Sequence, residues 1–454
     1  MSKTIKLRKG LDIKLVGKAE KVTSTFVMPK LAAIKPEDFH GLTPKMIVKE
    51  GETVKAGDVL FQDKYNDVVK YASPVSGTVK EIVRGEKRRI LEVLIECSTD
   101  LEFTSKNIGA TDSMSGDDVK KTMLDGGLWP FVKQRPLDVV ANPKNGPKAI
   151  FISGFDSAPL AADMDYLLEG RIEEFQKGID VVSKLTEGKV HLTLNGKSQM
   201  SSALRSIQGV QINTIIGKHP AGNVGTQIHH LDPINKGEFV WTINALDVAI
   251  IGRFFATGKF DVRKKIALAG SEMSSPSYVE TVIGAEVSSI LSDRMVGENV
   301  RVISGNVLTG DNVGKDGFLG FYHNQITAIP EGNKMKFAPT DGWAVPLGFK
   351  KMSNSRLFAS ALTPNKEFVL DTNTNGEERA FVVTGELERV FPFDILPMQL
   401  AKAAITQDID GMENLGIYEV APEDFALCEF VCTSKIDIQD EIRQGLDLIA
   451  KECM

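Results

Sequence analysis

Cysteine is scarce in this chain: only Cys97, Cys428, Cys432 and Cys453 occur among 454 residues, at irregular spacings. So few thiols fit a reducing compartment and argue against a disulfide framework. Four would suffice for one iron–sulfur cluster. Cys97, however, ends a strand-like run, Ile90 to Glu96, far from the other three, and Cys428-x-x-x-Cys432 misses the C-x-x-C spacing of ferredoxin-type sites. Inert thiols are the expectation. Positive charge is not in excess either. A net charge of −6 argues against a nucleic-acid partner and leaves no basic patch for an anionic membrane. Long apolar runs are missing: the most apolar window, Phe239 to Ala256, is broken by Asn244, Asp247 and Arg253. It predicts a buried strand followed by a helix, not a bilayer span. Met1-Ser-Lys-Thr-Ile lacks the apolar core of a signal peptide, which points to the cytoplasm. With 42% apolar and 25% charged residues and no low-complexity tract, the composition is globular, and the length predicts about three domains.

What is present begins with Val48–Leu60, where apolar and polar residues alternate around Gly51 and Gly57 in a hairpin pattern. Ser73-Pro-Val-Ser-Gly-Thr-Val-Lys-Glu-Ile82 supplies a second turn and strand. The pair resembles lipoyl and biotinyl carrier domains, which are flattened β-barrels with a modified lysine on an exposed hairpin. Counting back from Pro74 puts Asn66 at that position. Lys64 is two residues off, and register matters because each slip of one residue swaps the faces of a strand. The resemblance therefore implies a carrier fold without a swinging arm.

From residue 149 the pattern becomes α/β. Ala149–Ser153 reads as a buried parallel strand. Ile172, Phe175, Ile179 and Val182 mark one face of a helix, and Val190–Leu194 is the next strand. Met200, Ala203, Leu204 and Ile207 line a second helix, and Val210–Ile216 completes a β-α-β-α-β order. Such an order predicts a mainly parallel sheet whose ligand crevice lies beyond the carboxyl ends of its strands. Gly154-Phe-Asp-Ser-Ala-Pro159 and Gly217–Asp232 fall on that edge.

The second of these loops, Gly217-Lys-His-Pro-Ala-Gly-Asn-Val-Gly-Thr-Gln-Ile-His-His-Leu-Asp232, holds three of the six histidines. Glycine permits close backbone approach, and imidazoles bind metals, move protons or donate to carbonyl oxygens near neutral pH. A tight scaffold loop whose histidines cap helix ends fits the same residues. His229 and His230 are adjacent, so their side chains diverge on a helix, and no third metal ligand is evident. The loop resembles the HPAG…VGT…IH…LDP signature of the A-subunit family of sodium-translocating NADH:quinone reductases. That family has a hydrophobic or aromatic residue where His230 stands here.

The resemblance extends over nearly the whole chain. Lys264–Gly270, Pro276–Val282, Glu286–Met295 with a helical period through Val287, Ile290 and Leu291, and Val300–Gly310 resemble a β-grasp domain. Glu388–Pro397 and Leu427–Lys435 also resemble the family. Polar Thr372–Gly376 separates the strand-like runs Phe368–Leu370 and Arg379–Thr384, and Ile438, Ile442, Leu446 and Ile449 form an apolar stripe on a last helix. The order of modules is distantly similar to the flavin-binding subunit of respiratory complex I and the C subunit of the Rnf complex. Here Asp125-Gly-Gly-Leu-Trp-Pro-Phe131 replaces their longer glycine-rich loop, and no G-x-G-x-x-G follows a predicted strand. Where those relatives place an acidic pair, this chain has Asn223-Val-Gly-Thr226.

The expected architecture is thus a multidomain α/β and α+β protein: a barrel-sandwich module over 1–104, a Rossmann-like α/β domain over 105–258, a β-grasp domain over 259–332, and C-terminal β-segments with a helical domain over 333–454. The resemblance implies a peripheral, cytoplasmic-face subunit of a sodium-translocating NADH:quinone reductase, held by the membrane-embedded B subunit and the flavin-bearing C subunit. It carries no tightly bound redox cofactor of its own, with NADH and flavins on partners and quinone as a possible substrate. His219, Pro220, Gly222, Gly225, His229 and Phe155 are the candidate quinone-binding residues, with His230 and Asp232 in support and Trp129 packing. The alternatives are an autonomous soluble NADH or flavin enzyme and a purely docking subunit.

Overall fold

Four parallel pairings in one sheet set the frame. Thr4–Lys6, Gln211–Ile216, Lys189–Asn195, Ala149–Ser153 and Val240–Thr242 lie side by side in that order, each parallel to the next. Lys133–Arg135 extends the sheet antiparallel to Val240–Thr242, and Val139–Val140 follows antiparallel to Lys133–Arg135. The computed structural model describes residues 2–197, 202–292, 294–333, 352 and 362–454. The apolar run Ala149–Ser153 sits in the sheet centre, where both faces are covered and Ile150, Phe151 and Ile152 are wholly buried. The helix Ile172–Val182 has the predicted face, with Phe175, Ile179 and Val182 inside. It packs on Ala245–Thr257, the helical half of the window read from sequence as strand-then-helix. Ser202–Arg205 makes one helical turn with Leu204 buried, and Met200 falls outside the described residues.

The N-terminal segment stitches the molecule together before the barrel begins. Thr4–Lys6 edges the α/β sheet. Leu15 bridges Phe368, and Thr23–Ser24 adds a strand to the sheet formed by Arg263–Ala269, Ser277–Val282, Val300–Ser304, Asp311–Asn312 and Gln325–Pro330. In that sheet Arg263–Ala269 pairs antiparallel with Ser277–Val282, as the β-grasp reading requires. Its helix is shorter than the sequence period suggested, Val287–Leu291 only. Ser292 adopts φ +42°, a left-handed conformation that a continuing helix does not allow.

The barrel comprises Leu31–Ile34, Ile90–Cys97, Gly77–Arg84 and Thr53–Val54 against Pro44–Met46, Val59–Asp63 and Lys70–Ala72. Asn66 lies in the turn between Val59–Asp63 and Lys70–Ala72, where its carbonyl accepts from the Val69 amide at 2.9 Å. Lys64 precedes it in the same turn, its ammonium 5.5 Å from the Tyr65 ring centre.

From Glu386 onward the regular elements are helical. Glu386–Val390, Pro397–Ile405, Ile409–Asn414, Pro422–Val431 and Ile438–Cys453 share one core. The stripe Ile438, Ile442, Leu446, Ile449 is entirely internal to it, so it is core and not an interface. The expected β-segments here need correction. Phe368 makes a single bridge to Leu15, and Arg379–Thr384 forms no strand. A β pattern needs a neighbour to bond to. Val382 and Val383 are instead more than half exposed, and the Arg379 amide spends its bond on Ser434. Cys428 and Cys432 are buried in this helical core, and burial raises the Cys428 thiol well above its ordinary range.

Candidate functional site

At the carboxyl ends of Ala149–Ser153 and Val240–Thr242 lies a cavity of about 450 Å³, shared by three units. The α/β domain contributes Phe155, His219, Gly222 and Asp247. The β-grasp domain contributes Leu308, Tyr322 and His323, and the helical unit contributes Pro422, Glu423 and Gln439. This is the edge where an open parallel sheet leaves its crevice.

His219 is held from three directions. Its amide donates to Asp12 at 2.9 Å, its carbonyl accepts from the Leu11 amide at 2.9 Å, and its Nδ1 lies 3.0 Å from the Ser157 hydroxyl. Burial lowers the pKa of this imidazole, with Asp156 and Asp12 opposing, so the neutral form is favoured. Gly222 lets the histidine loop lie flat on the preceding loop. A Cβ there would stand 2.5 Å from the Ser157 amide nitrogen and 2.9 Å from the Asp156 carbonyl carbon. Its own amide donates to Ser157 Oγ at 2.8 Å, and its carbonyl accepts from Ser153 Oγ at 2.9 Å.

The rest of the loop faces elsewhere. Gly225 opens the helix Val224–Leu231 and makes room for a buried ion pair, since a Cβ would collide with Arg135 Nη1 and the Asp424 carboxylate. Arg135 donates to Asp424 at 2.7 Å and to Glu423, tying the sheet to the N-terminus of the helix Pro422–Val431. His229 is a strut between units: Nδ1 lies 2.7 Å from Glu419, and Nε2 accepts from the Asp394 amide at 2.9 Å. The His230 ring stands 5.0 Å from that of His229, with its Nε2 buried and unpaired. Asp232 pairs with Lys148 at 3.0 Å, and the Pro220 carbonyl closes a turn onto the Asn223 amide. The fold therefore gathers Phe155, His219 and Gly222 around the cavity. Pro220, Gly225, His229, His230 and Asp232 are not in its wall. Trp129 is wholly buried, donating Nε1–H to the Ala141 carbonyl at 2.6 Å and meeting Trp241 edge-on.

Sequence reasoning passed over the other ionisable groups in and behind the cavity wall. Asp247 is 1% exposed, and neither carboxylate oxygen has a hydrogen-bond partner. Burial pushes it up to about 7, against the pull of Lys264. Lys264, itself fully buried, is lowered by burial to about 8, while Asp247 and Asp38 act to raise it. Glu423 is raised to about 7 by burial, opposed by Arg135 and reinforced by Asp424. His323 is lowered to about 3 by burial and accepts or donates at Ser304 Oγ, 2.9 Å away. Tyr322 spends its hydroxyl proton on the Pro130 carbonyl at 2.6 Å. Only Asp247 gave a usable sign beforehand, as a carboxylate interrupting the most apolar window. Arg253, in the same window, is accounted for by Glu174 and Asp261. Among the described residues no group of three or more His, Cys, Asp or Glu side chains could hold a metal ion.

Comparison with known proteins places this geometry. Three family descriptions match successive parts of the chain: the NqrA N-terminal barrel-sandwich hybrid domain over 5–98, the NqrA second alpha/beta domain over 114–260, and the NQRA C-terminal domain over 265–315. The A subunit of the Na(+)-translocating NADH-quinone reductase of Neisseria meningitidis serogroup A is 39% identical over 451 residues, 99% of this chain and 100% of that one. The chain belongs to the A-subunit family of these reductases. The Rhodopirellula baltica relative is 38% identical, covering 98% of each chain, and that of Marinomonas sp. is 37% identical, covering 98% and 99%. An NAD+-reducing [NiFe]-hydrogenase in the H2-reduced state aligns at a TM-score of 0.36 and 13% identity, over 75% of this chain and 62% of that one. In this member of the family, the signature loop is divided between a cavity wall and an interdomain strut.

Proposed function

We propose that the chain is a peripheral subunit of a sodium-translocating NADH:quinone oxidoreductase, on the inner face of the bacterial cytoplasmic membrane, and that its three-unit cavity takes the head group of a quinone during reduction. Partners, a membrane-embedded B subunit and a flavin-bearing C subunit, hold it there and carry the NADH and flavin chemistry. This chain contributes no tightly bound redox cofactor. No helix among the described residues is long and apolar enough to cross a membrane, which is consistent with attachment through partners.

One observation carries the reading: a cavity of about 450 Å³, within the usual range for small-molecule sites, brings apolar side chains and convergent ionisable groups together on a mixed polar and apolar wall. Phe155, Met164, Leu167 and Leu308 offer apolar contact to a flat ring. His219, held neutral and oriented by Ser157, is placed to hydrogen-bond a ring oxygen.

Titrating a short-chain ubiquinone analogue into the purified chain tests the proposal. Saturable binding weakened about tenfold or more by His219→Ala, about the loss of one well-placed hydrogen bond, supports it, provided that His229→Ala leaves it unchanged. Equal binding by all three would place the quinone elsewhere. A freshly purified chain that is yellow and bleaches with NADH would make it a flavoprotein in its own right.

A further inference from the structure

Asp247 is the least expected group in the molecule. It sits in the first turn of the helix Ala245–Thr257, where the helix dipole favours an anion, yet it is buried with both oxygens unpaired. Its neighbours on the same wall are all satisfied: Asn244 Oδ1 caps the Leu246 amide at 3.1 Å, Tyr322 is bonded to Pro130, and His323 to Ser304. A buried carboxyl without a partner is costly unless it is protonated or meets a group that the protein itself lacks. Lys264, facing it from Arg263–Ala269, does not close an ion pair with it. Its ammonium donates instead to the Phe321 carbonyl at 3.3 Å and Asn324 Oδ1 at 3.2 Å. On the far side of Lys264 stands Asp38 of the barrel. This carboxylate accepts from the Phe321 amide at 2.9 Å and pairs with Lys35 at 3.2 Å, and both side chains are partly open to the exterior.

We infer that Asp247 is the proton-exchanging residue of the cavity, giving its proton to a ring oxygen of the bound quinone and regaining one from solvent once the hydroquinone has left. The inference rests on the quinone reading above. The overall change is quinone plus two electrons plus two protons to hydroquinone. The electrons come from NADH oxidised by the partner subunits. In the step assigned to this chain, the Asp247 O–H bond breaks, a new O–H bond forms on the reduced ring oxygen, and the carboxylate remains, balanced by the Lys264 ammonium. The second proton enters from solvent on the His219 side. The groups facing the pair are Tyr322 and His323 from the β-grasp loop and Asp38 from the barrel, while Lys35 and Lys133 lie next to His323. The Asp38 carboxyl favours proton loading of Lys264, and the Lys264 ammonium opposes that of Asp247.

The test uses the assembled complex, with NADH and a short-chain ubiquinone analogue across pH 5.5 to 9. Asp247→Asn is expected to lower kcat about 100-fold, the lower end for losing a general acid, with KM within about threefold, and to flatten the pH dependence that wild type shows. Asp247→Glu is expected to restore much of the rate and the pH limb. Because Asp247→Asn strands Lys264, the pair Asp247→Asn/Lys264→Met removes both charges and is expected to assemble normally and remain slow. Redox-difference infrared spectra of wild type are expected to carry a protonated-carboxyl band that Asp247→Asn removes. Wild-type-like kcat and pH profile in Asp247→Asn, with His219→Ala still weakening quinone binding, would overturn the inference while leaving the quinone site standing. Loss of the His219 effect as well would remove both.

Discussion

His219 and His229 stand ten residues apart in one signature loop, and the fold gives them opposite work. His219 faces a space shared by three units, with only Ser157 on its Nδ1. His229 spends both ring nitrogens on the helical unit, at Glu419 and Asp394. The two glycines divide the same way. Gly222 lets two loops of the α/β domain meet at the cavity, and Gly225 admits the Arg135–Asp424 pair that fastens the helical unit. A motif dense in histidine and glycine is therefore not one site. One end is kept open by close packing, and the other end does the fastening.

The sharpest way to break the fastened end is through Asp424. Arg135 and Asp424 are both wholly buried, and Asp424→Ala leaves a charge with little besides Glu423 to meet it. A loss of about 3–5 kcal/mol in folding free energy is expected, read by urea unfolding. An effect below about 1 kcal/mol would show that the clamp is not what joins the units.

The two histidines themselves come next. His229→Ala removes two hydrogen bonds, one to a carboxylate, and should cost about 1.5–3 kcal/mol of stability without weakening quinone binding. His219→Ala should do the reverse, sparing stability and losing affinity. If the two variants behave alike, the division of the loop is wrong.

A third test asks how far the cavity wall resists charge. His323, buried and lowered to about 3, stays neutral in the folded chain while the unfolded chain takes up a proton below about 6.5. Its folded pKa lies below the unfolded one, so its contribution is unaffected above about 6.5 and stability falls progressively as pH drops from there toward 3. At pH 5 this term amounts to about 2 kcal/mol. His323→Gln cannot titrate, so its stability difference from wild type should shrink by about that amount between pH 7 and pH 5. A difference that stays constant over that range would mean that the imidazole is charged in place.

Much of the frame was legible because it obeys simple periods. Ala149–Ile152 is a continuous apolar run that only a doubly covered sheet accommodates, Val190, Leu192 and Leu194 alternate as a strand does, and Ile438 to Ile449 repeats at helical spacing. Arg379–Thr384 misled for a physical reason: β-branched residues report a strand only where a neighbouring strand exists. The cavity was half legible. Its α/β edge follows from topology, which brings Phe155 and His219 to the crevice. Its far walls come from residues 305–325 and 422–439, distant in sequence and without a motif, so Tyr322, His323 and Glu423 left no local trace. Asp247 did leave one, as a lone carboxylate inside an apolar window. That kind of local inconsistency is where a functional or strained group is expected.

The smallest expected effect separates two adjacent residues. His230 shares the last turn of Val224–Leu231 with His229 and has one ring nitrogen, Nε2, buried without a partner. Burial and the neighbouring His229 both lower its pKa, so the ring already behaves as a neutral, largely apolar plate. An apolar ring of similar shape removes the desolvation cost of the unpaired Nε2 and gives up the bond that the ring makes to the Pro392 backbone, two terms of similar size and opposite sign. His230→Phe should therefore change stability by less than about 1 kcal/mol and leave quinone binding untouched. A loss of stability comparable to that of His229→Ala would mean that His230 is a second strut, and that the fastened end of the loop extends to both rings.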